Sequence, residues 1–126
     1  MATVELTKEN FDEVVGGSDG SGIVLVDFWA EWCGPCRAFG PTYEAASDKN
    51  DDIVFGKVDT EAQQELAATF GIRSIPTLMI VREGVVLFSQ PGALPAPALN
   101  ELIQQARDVN MEEVHAKVAE AQAQQG

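Results

Sequence analysis

Cys33 and Cys36 are the only two cysteines in the chain, and only Gly34 and Pro35 stand between them. A disulfide closing so short a loop restrains little of the unfolded chain, so it is not a stabilising staple. A haem attachment site would need histidine where Arg37 stands. A zinc site built from four Cys or His ligands is out of reach with two cysteines and one distant histidine, His115. What remains for the pair is redox chemistry, in which a thiolate attacks a disulfide and a neighbouring thiol displaces the product.

The elements around the pair decide how each sulfur behaves. Ile23 to Trp29 is apolar except for Asp27, the pattern of a central strand covered on both faces. A helix is expected to begin within Cys33-Gly34-Pro35-Cys36 and to run towards Asn50, kinked at Pro41 beside Gly40. Cys33 then precedes the helix, where unpaired N–H groups and the positive dipole end favour thiolate over thiol. Cys36 lies one turn further on, on the same face, and is expected to be the more enclosed. That asymmetry assigns attack to Cys33 and resolution to Cys36. Gly34 permits a tight entry into the helix, and Pro35 removes an N–H that would otherwise stabilise the thiolate, which points to a reductant. Strand alternation puts Asp27 on the face of Leu25 and Trp29. An isolated carboxylate buried there is expected to be partly protonated, with a raised pKa.

Elsewhere, Thr3 to Leu6 reads as a short strand, and Thr7 as the cap of a helix carrying Phe11, Val14 and Val15 on one face. Gly16 to Gly22 is a flexible, glycine-rich loop. Ile53 to Val58 is a strand. Thr60 and Gln63 then have capping-box spacing before a helix through Leu66, Ala67 and Phe70 that Gly71 would close. Thr77 to Val81 and Val85 to Ser89 bracket Arg82-Glu83-Gly84 as an antiparallel hairpin. Pro95-Ala96-Pro97 opens a helix with Leu99, Leu102, Ile103 and Ala106 at helical spacing. The order β-α-β-α-β-α-β-β-α belongs to the α/β class, with helices on both faces of one sheet. Phe28, Phe39, Tyr43, Phe55 and Phe70 read as core filling. Asn110 and Glu113 fit the start of a last helix with a narrow stripe of Met111, Val114, Val118 and Ala121. That helix either packs its stripe on the domain, frays as a tail, or recruits a partner, with His115 facing solvent.

The chain, at 126 residues, has room for one domain and little more. Its net charge of −12 disfavours nucleic acid and anionic membranes as partners. Apolar runs such as Ile23 to Val26 are strand-length, too short to span a bilayer, and the start Met1-Ala2-Thr3-Val4-Glu5 lacks signal-peptide features. The protein therefore reads as soluble and cytoplasmic. No glycine-rich phosphate or dinucleotide loop is present, so no cofactor is expected and electrons must arrive through another protein.

The stretch Asp27-Phe28-Trp29-Ala30-Glu31-Trp32-Cys33-Gly34-Pro35-Cys36 closely resembles the active-site segment of thioredoxins. Gly71-Ile72-Arg73-Ser74-Ile75-Pro76-Thr77 looks like the second signature of that family, and Lys57, Gly84 and Gly92 fall where its members have them. The resemblance runs from Thr3 to Arg107, with departures at Arg37 (commonly Lys), at Gly40 and at Pro91. It implies a thioredoxin fold, a central mixed β-sheet flanked by helices on both faces, over residues 1–107. Residues 108–126 would be an extra C-terminal helical extension. It further implies that Asp27 lies behind the cysteines and takes the Cys36 proton, with Lys57 tuning its charge. The bond before Pro76 would be cis, setting the Ile75 backbone beside Cys33 to pair with an extended substrate strand. Trp32 would shield the sulfurs and touch partners, next to Gly34 and Pro35, while Gly92 leaves room for the partner backbone. Arg37 and Arg73 are either a cationic fringe of the site or solvated surface charge.

The activity implied is disulfide reduction by a monomer that a separate thioredoxin reductase recharges. Clients would be disulfide-containing proteins, either many or a single one such as a peroxiredoxin or ribonucleotide reductase. The alternative is a binding module that keeps the fold without the chemistry; the intact set of Cys33, Cys36, Asp27 and Pro76 favours catalysis.

Overall fold

A computed structural model describes residues 3–17 and 20–125. Met1, Ala2, Ser18, Asp19 and Gly126 lie outside the described residues, so the expected flexible loop is described only at its two ends. The elements are β1 (Thr3–Glu5), α1 (Phe11–Val15), β2 (Ile23–Trp29), α2 (Gly34–Lys49), β3 (Val54–Asp59), α3 (Gln64–Thr69), β4 (Thr77–Arg82), β5 (Val85–Pro91), α4 (Ala96–Asp108) and α5 (Met111–Gln125). The strands form one sheet in the order β1-β3-β2-β4-β5. Pairing is parallel from β1 to β3 and from β3 to β2, then antiparallel through β4 and β5. This is the mixed sheet that the resemblance implies, with the element order read from the sequence.

The alternation along β2 serves both faces. Ile23 and Leu25 pack with Phe39 and Tyr43 of α2 and with Leu99 and Ile103 of α4. Val24, Val26 and Phe28 pack with Phe11 and Val15 of α1 and with Phe70. Tyr43 donates its hydroxyl to the Gly56 carbonyl at 2.7 Å, so the most polar atom of that core layer is satisfied. Glycine is required at position 56, because a Cβ there would run into the Leu6 side chain.

Helix ends follow the sequence in part. Gly71 has φ +63, and the Gly71 and Ile72 N–H groups reach back to the Ala68 and Ala67 carbonyls, a Schellman closure of α3. Asn110 caps α5, its side-chain oxygen accepting from the Glu113 N–H at 3.1 Å. Pro95 and Pro97 flank the start of α4 as predicted. Two expected caps are not formed. Thr7 instead opens a turn: its carbonyl accepts from Asn10 and Phe11, and α1 starts only after Asn10. Thr60 is drawn to the sheet, where both its N–H and its hydroxyl donate to the Trp29 carbonyl, at 2.8 and 3.1 Å. The helix α3 begins after Gln63, with no side-chain cap. The β4–β5 turn is tighter than predicted, because Arg82 belongs to the strand. Its two turn residues, Glu83 and Gly84, both have positive φ (52 and 79), the geometry that matches strand twist in a two-residue hairpin. The helix α2 carries on through Pro41 to Lys49.

The stripe of α5 is partly used. Met111 is buried, Val114 and Val118 are half-buried, and the exposed His115 bonds Glu83 at 2.8 Å. This contact holds α5 at the β4–β5 turn, the end of the sheet opposite the cysteines.

Candidate active site

β2 delivers the chain to the site. After Trp29, the buried Ala30 accepts from the Cys33 N–H at 3.2 Å, a tight turn that leads straight into α2. Cys33 is the N-cap of that helix, in extended conformation (φ −86, ψ 113), and its Sγ accepts from the Cys36 N–H at 3.2 Å. Sulfur thus occupies the place where a capping Ser or Asp would put an oxygen. Gly34 and Pro35 fill the first two helical positions. Pro35 has no N–H to offer, which leaves the Cys36 amide as the one that meets the sulfur.

Cys33 and Cys36 are joined by a disulfide, with their Cα atoms 5.3 Å apart. Both are 4% exposed. The expected greater enclosure of Cys36 is therefore corrected: the bridge tucks both sulfurs against Ala30, with Trp29 and Ile75 packed over them. The two cysteines differ in their place on the helix rather than in exposure.

The loop before β4 completes the site. The Ile75–Pro76 bond is cis, and Cys33 Sγ lies 3.7 Å from the Ile75 carbonyl oxygen. The Thr77 hydroxyl donates to the Ser74 carbonyl at 2.6 Å, and the Gly92 N–H to the Pro76 carbonyl at 2.8 Å, so the loop is held from both sides. Gly92 has φ +118, a conformation that favours glycine. Beside this loop an open hollow of about 230 Å³ is lined by Gly71, Arg73, Ser74, Thr77 and Pro91, among others. Arg73 and Arg37 are both exposed. Trp32 is 67% exposed and donates its ring N–H to Glu61 Oε1 at 2.6 Å. Sequence reasoning missed Glu61. The reason lies in the topology: β2 and β3 are parallel neighbours, so the loops that follow them leave the sheet at the same end.

Asp27 is buried, as expected, and its Oδ1 has no hydrogen-bond partner among the described residues. Burial pushes its carboxyl up to about 7, against the opposing pull of the Lys57 cation. The two residues are paired across the β2–β3 ladder. Lys57 Nζ rests over the Trp29 ring, 4.5 Å from its centroid. The structure thus brings a capped sulfur and a cis-proline loop together beyond the end of β2, the strand that buries Asp27 two residues before Trp29. Among the described residues, no helix is long and apolar enough to cross a membrane.

Comparison with known proteins agrees with this geometry. The thioredoxin family model matches residues 2–105. A putative thioredoxin 2 of Streptomyces coelicolor is 65% identical over 125 residues, 99% of this chain and 91% of that protein. A thioredoxin of Bacillus subtilis is 38% identical over 104 residues, 82% of this chain and 96% of that one. Among solved structures, the thioredoxin of Malassezia sympodialis is similar with a TM-score of 0.73 at 34% identity, covering 85% of this chain and 95% of its own.

Proposed function

The chain belongs to the thioredoxin family and has its protein-disulfide reductase activity, and from that premise we propose how its residues divide the reaction. Cys33, as a thiolate, attacks one sulfur of a client disulfide; an S–S bond to the client forms and the client's other sulfur leaves as a thiolate. Cys36 then gives its proton to Asp27, and its sulfur attacks Cys33 Sγ. The mixed disulfide breaks, the second client sulfur leaves, and the Cys33–Cys36 bridge remains. Two electrons have passed from the pair to the client.

The observation that carries this reading is the capping of α2 by the Cys33 sulfur. A helix N-terminus favours negative charge, and hence the attacking thiolate. The absence of an N–H at Pro35 limits that stabilisation, so the reduced pair gives up its electrons readily. Asp27 suits the proton transfer because a base works best with a pKa near the working pH. Lys57 tunes its charge. Trp32, Gly34, Pro35, Ile75, Pro76 and Gly92 form the client-contact rim, where an extended segment pairs with the Ile75 backbone.

In this proposal a thioredoxin reductase recharges the protein, which acts as a cytoplasmic monomer. Its clients form a broad set of disulfide proteins rather than one dedicated peroxiredoxin or ribonucleotide reductase. Residues 1–107 carry the catalysis and residues 108–126 are an extension. Support for that division comes from α5, which meets the sheet at the end away from the cysteines. Trapping with Cys36→Ser tests the scheme. Many client adducts, released by a small dithiol and absent from Cys33→Ser, are expected. A single client would make the protein a dedicated donor, and none at all would make it a binding module.

A further inference from the structure

The proton-transfer scheme gives Trp29 no task, yet its ring touches both halves of the site. It packs against the cluster of Ala30, Cys33 and Cys36, and it carries the Lys57 ammonium 4.5 Å from its centroid. Alternation places Asp27 and Trp29 on one face of β2, and the parallel ladder sets Lys57 directly beside Asp27 on β3. Carboxyl, ammonium and indole therefore share one small region of the sheet. Lys57 is only half-buried, and its four-carbon stem leaves the ammonium free to take many positions. An indole face attracts a cation more strongly than any other aromatic side chain. Since the field of a charge falls with distance, the resting place of that ammonium governs what Asp27 feels.

We propose that Trp29 is a positioning residue for proton transfer: its ring pins the Lys57 ammonium and thereby sets the charge state of Asp27 at neutral pH. The proposal rests on Asp27 being the acceptor of the Cys36 proton. Other groups around Asp27 leave this role to Lys57. Leu78, opposite on β4, does not titrate. On α2, Cys33 and Cys36 are bonded to each other, and Tyr43 keeps its proton because burial and the Asp27 charge raise it well above its ordinary value. The α4 side of the same face is supplied by Leu99 and Ile103. Asp59, level with Trp29 on β3, is occupied by the Glu61 and Ala62 N–H groups.

The test is a carbon-13 NMR titration of the Asp27 carboxyl in the full-length oxidised protein. Without the ring, the ammonium relaxes into water and its field at Asp27 weakens. Trp29→Leu is expected to move the midpoint upward from about 7 by roughly half a unit. Trp29→Phe keeps a weaker ring and should move it less. Lys57→Met should also raise the midpoint, and adding Trp29→Leu to it should change nothing more. A folded Trp29→Leu with an unmoved midpoint overturns the proposal, and so does an equal shift in the Lys57→Met background. If Trp29→Leu does not fold, Trp29→Phe with and without Lys57→Met makes the same double comparison. Asp27→Asn probes the underlying scheme separately, through the pH dependence of mixed-disulfide resolution. If that dependence persists, proton acceptance by Asp27 is wrong, whatever the titrations say about Lys57.

Discussion

At the end of the sheet where β4 turns into β5, Arg82 donates from one nitrogen to the Ala106, Arg107 and Val109 carbonyls, at 2.9, 3.1 and 3.1 Å. These groups close α4, whose last carbonyls would otherwise lack partners. Nearby, Arg107 grips both oxygens of Asp52, at 2.6 and 2.9 Å, and reaches Asn50 at 2.9 Å. At the cysteine end, by contrast, Asp27 is buried, its Oδ1 has no hydrogen-bond partner among the described residues, and its ladder neighbour Lys57 rests on the Trp29 ring. The two carboxylates also respond to pH in opposite ways. The Arg107 guanidinium holds Asp52 below its usual range, so that residue stabilises the fold when charged and loses this as pH falls through its lowered value. Asp27 is pushed up, so ionising it costs stability. At the far end Arg107 is paired with Asp52 and serves to hold a helix end; in the proposed scheme Asp27 must exchange a proton, and a tight ion pair would oppose that.

The largest effect that would sharpen this contrast is on chemistry alone. Cys33→Ser should lower protein-disulfide reduction at least about 10³-fold, measured by substrate turnover. Next, Asp27→Asn should slow mixed-disulfide resolution about 10²-fold near neutral pH, followed by stopped-flow. The same variant should alter the pH dependence of stability. The unfolded chain releases the Asp27 proton near 3.8, the folded chain only near 7. Between those values the unfolded state binds fewer protons, so wild-type stability falls as pH rises, by up to roughly 4 kcal/mol. Urea denaturation from pH 4 to pH 8 should show that decline in the wild type and a flatter profile in Asp27→Asn. A decline of equal size in both would break the comparison.

At the far end, Arg82→Met should cost about 2 kcal/mol in urea denaturation and leave turnover unchanged; a large fall in turnover would mean that the two ends are not independent. The smallest effect belongs to Arg107→Ala. Its ion pair with Asp52 is partly exposed, so a loss of about 0.5–1 kcal/mol is expected, shrinking further in high salt.

Features set by neighbours along the chain were legible in the sequence. The apolar run of β2, interrupted only at Asp27, marked both the central strand and the group that would be costly to bury. Arg82-Glu83-Gly84 marked the hairpin, though Arg82 proved to belong to the strand; Gly71 marked the end of α3 and Asn110 the start of α5. Features that depend on distant contacts were not. Thr7 and Thr60 have capping side chains at capping spacing. At Thr7 a local rival wins, since Asn10 reaches the Glu5 carbonyl and the Thr7 N–H; Thr60 is claimed by the Trp29 carbonyl, a tertiary bond that overrides the local pattern. The equal burial of the two cysteines depends on Ile75, far along the chain, folding over the bridge. The cis bond before Pro76 came from resemblance, since residue type alone does not fix the isomer. The perch of Lys57 on Trp29 follows from ladder register, which no single segment reveals.

The cap on α2 has a consequence for how the molecule cycles. The atom that gains and loses electrons, Cys33 Sγ, is also the anchor of the first helical turn. When the bridge opens, that same sulfur can keep the same amide proton, and as an anion it should hold it more tightly. The scaffold is thus fastened at one point in both the loaded and the emptied condition. Electrons can then come and go without the helix letting go of its own beginning.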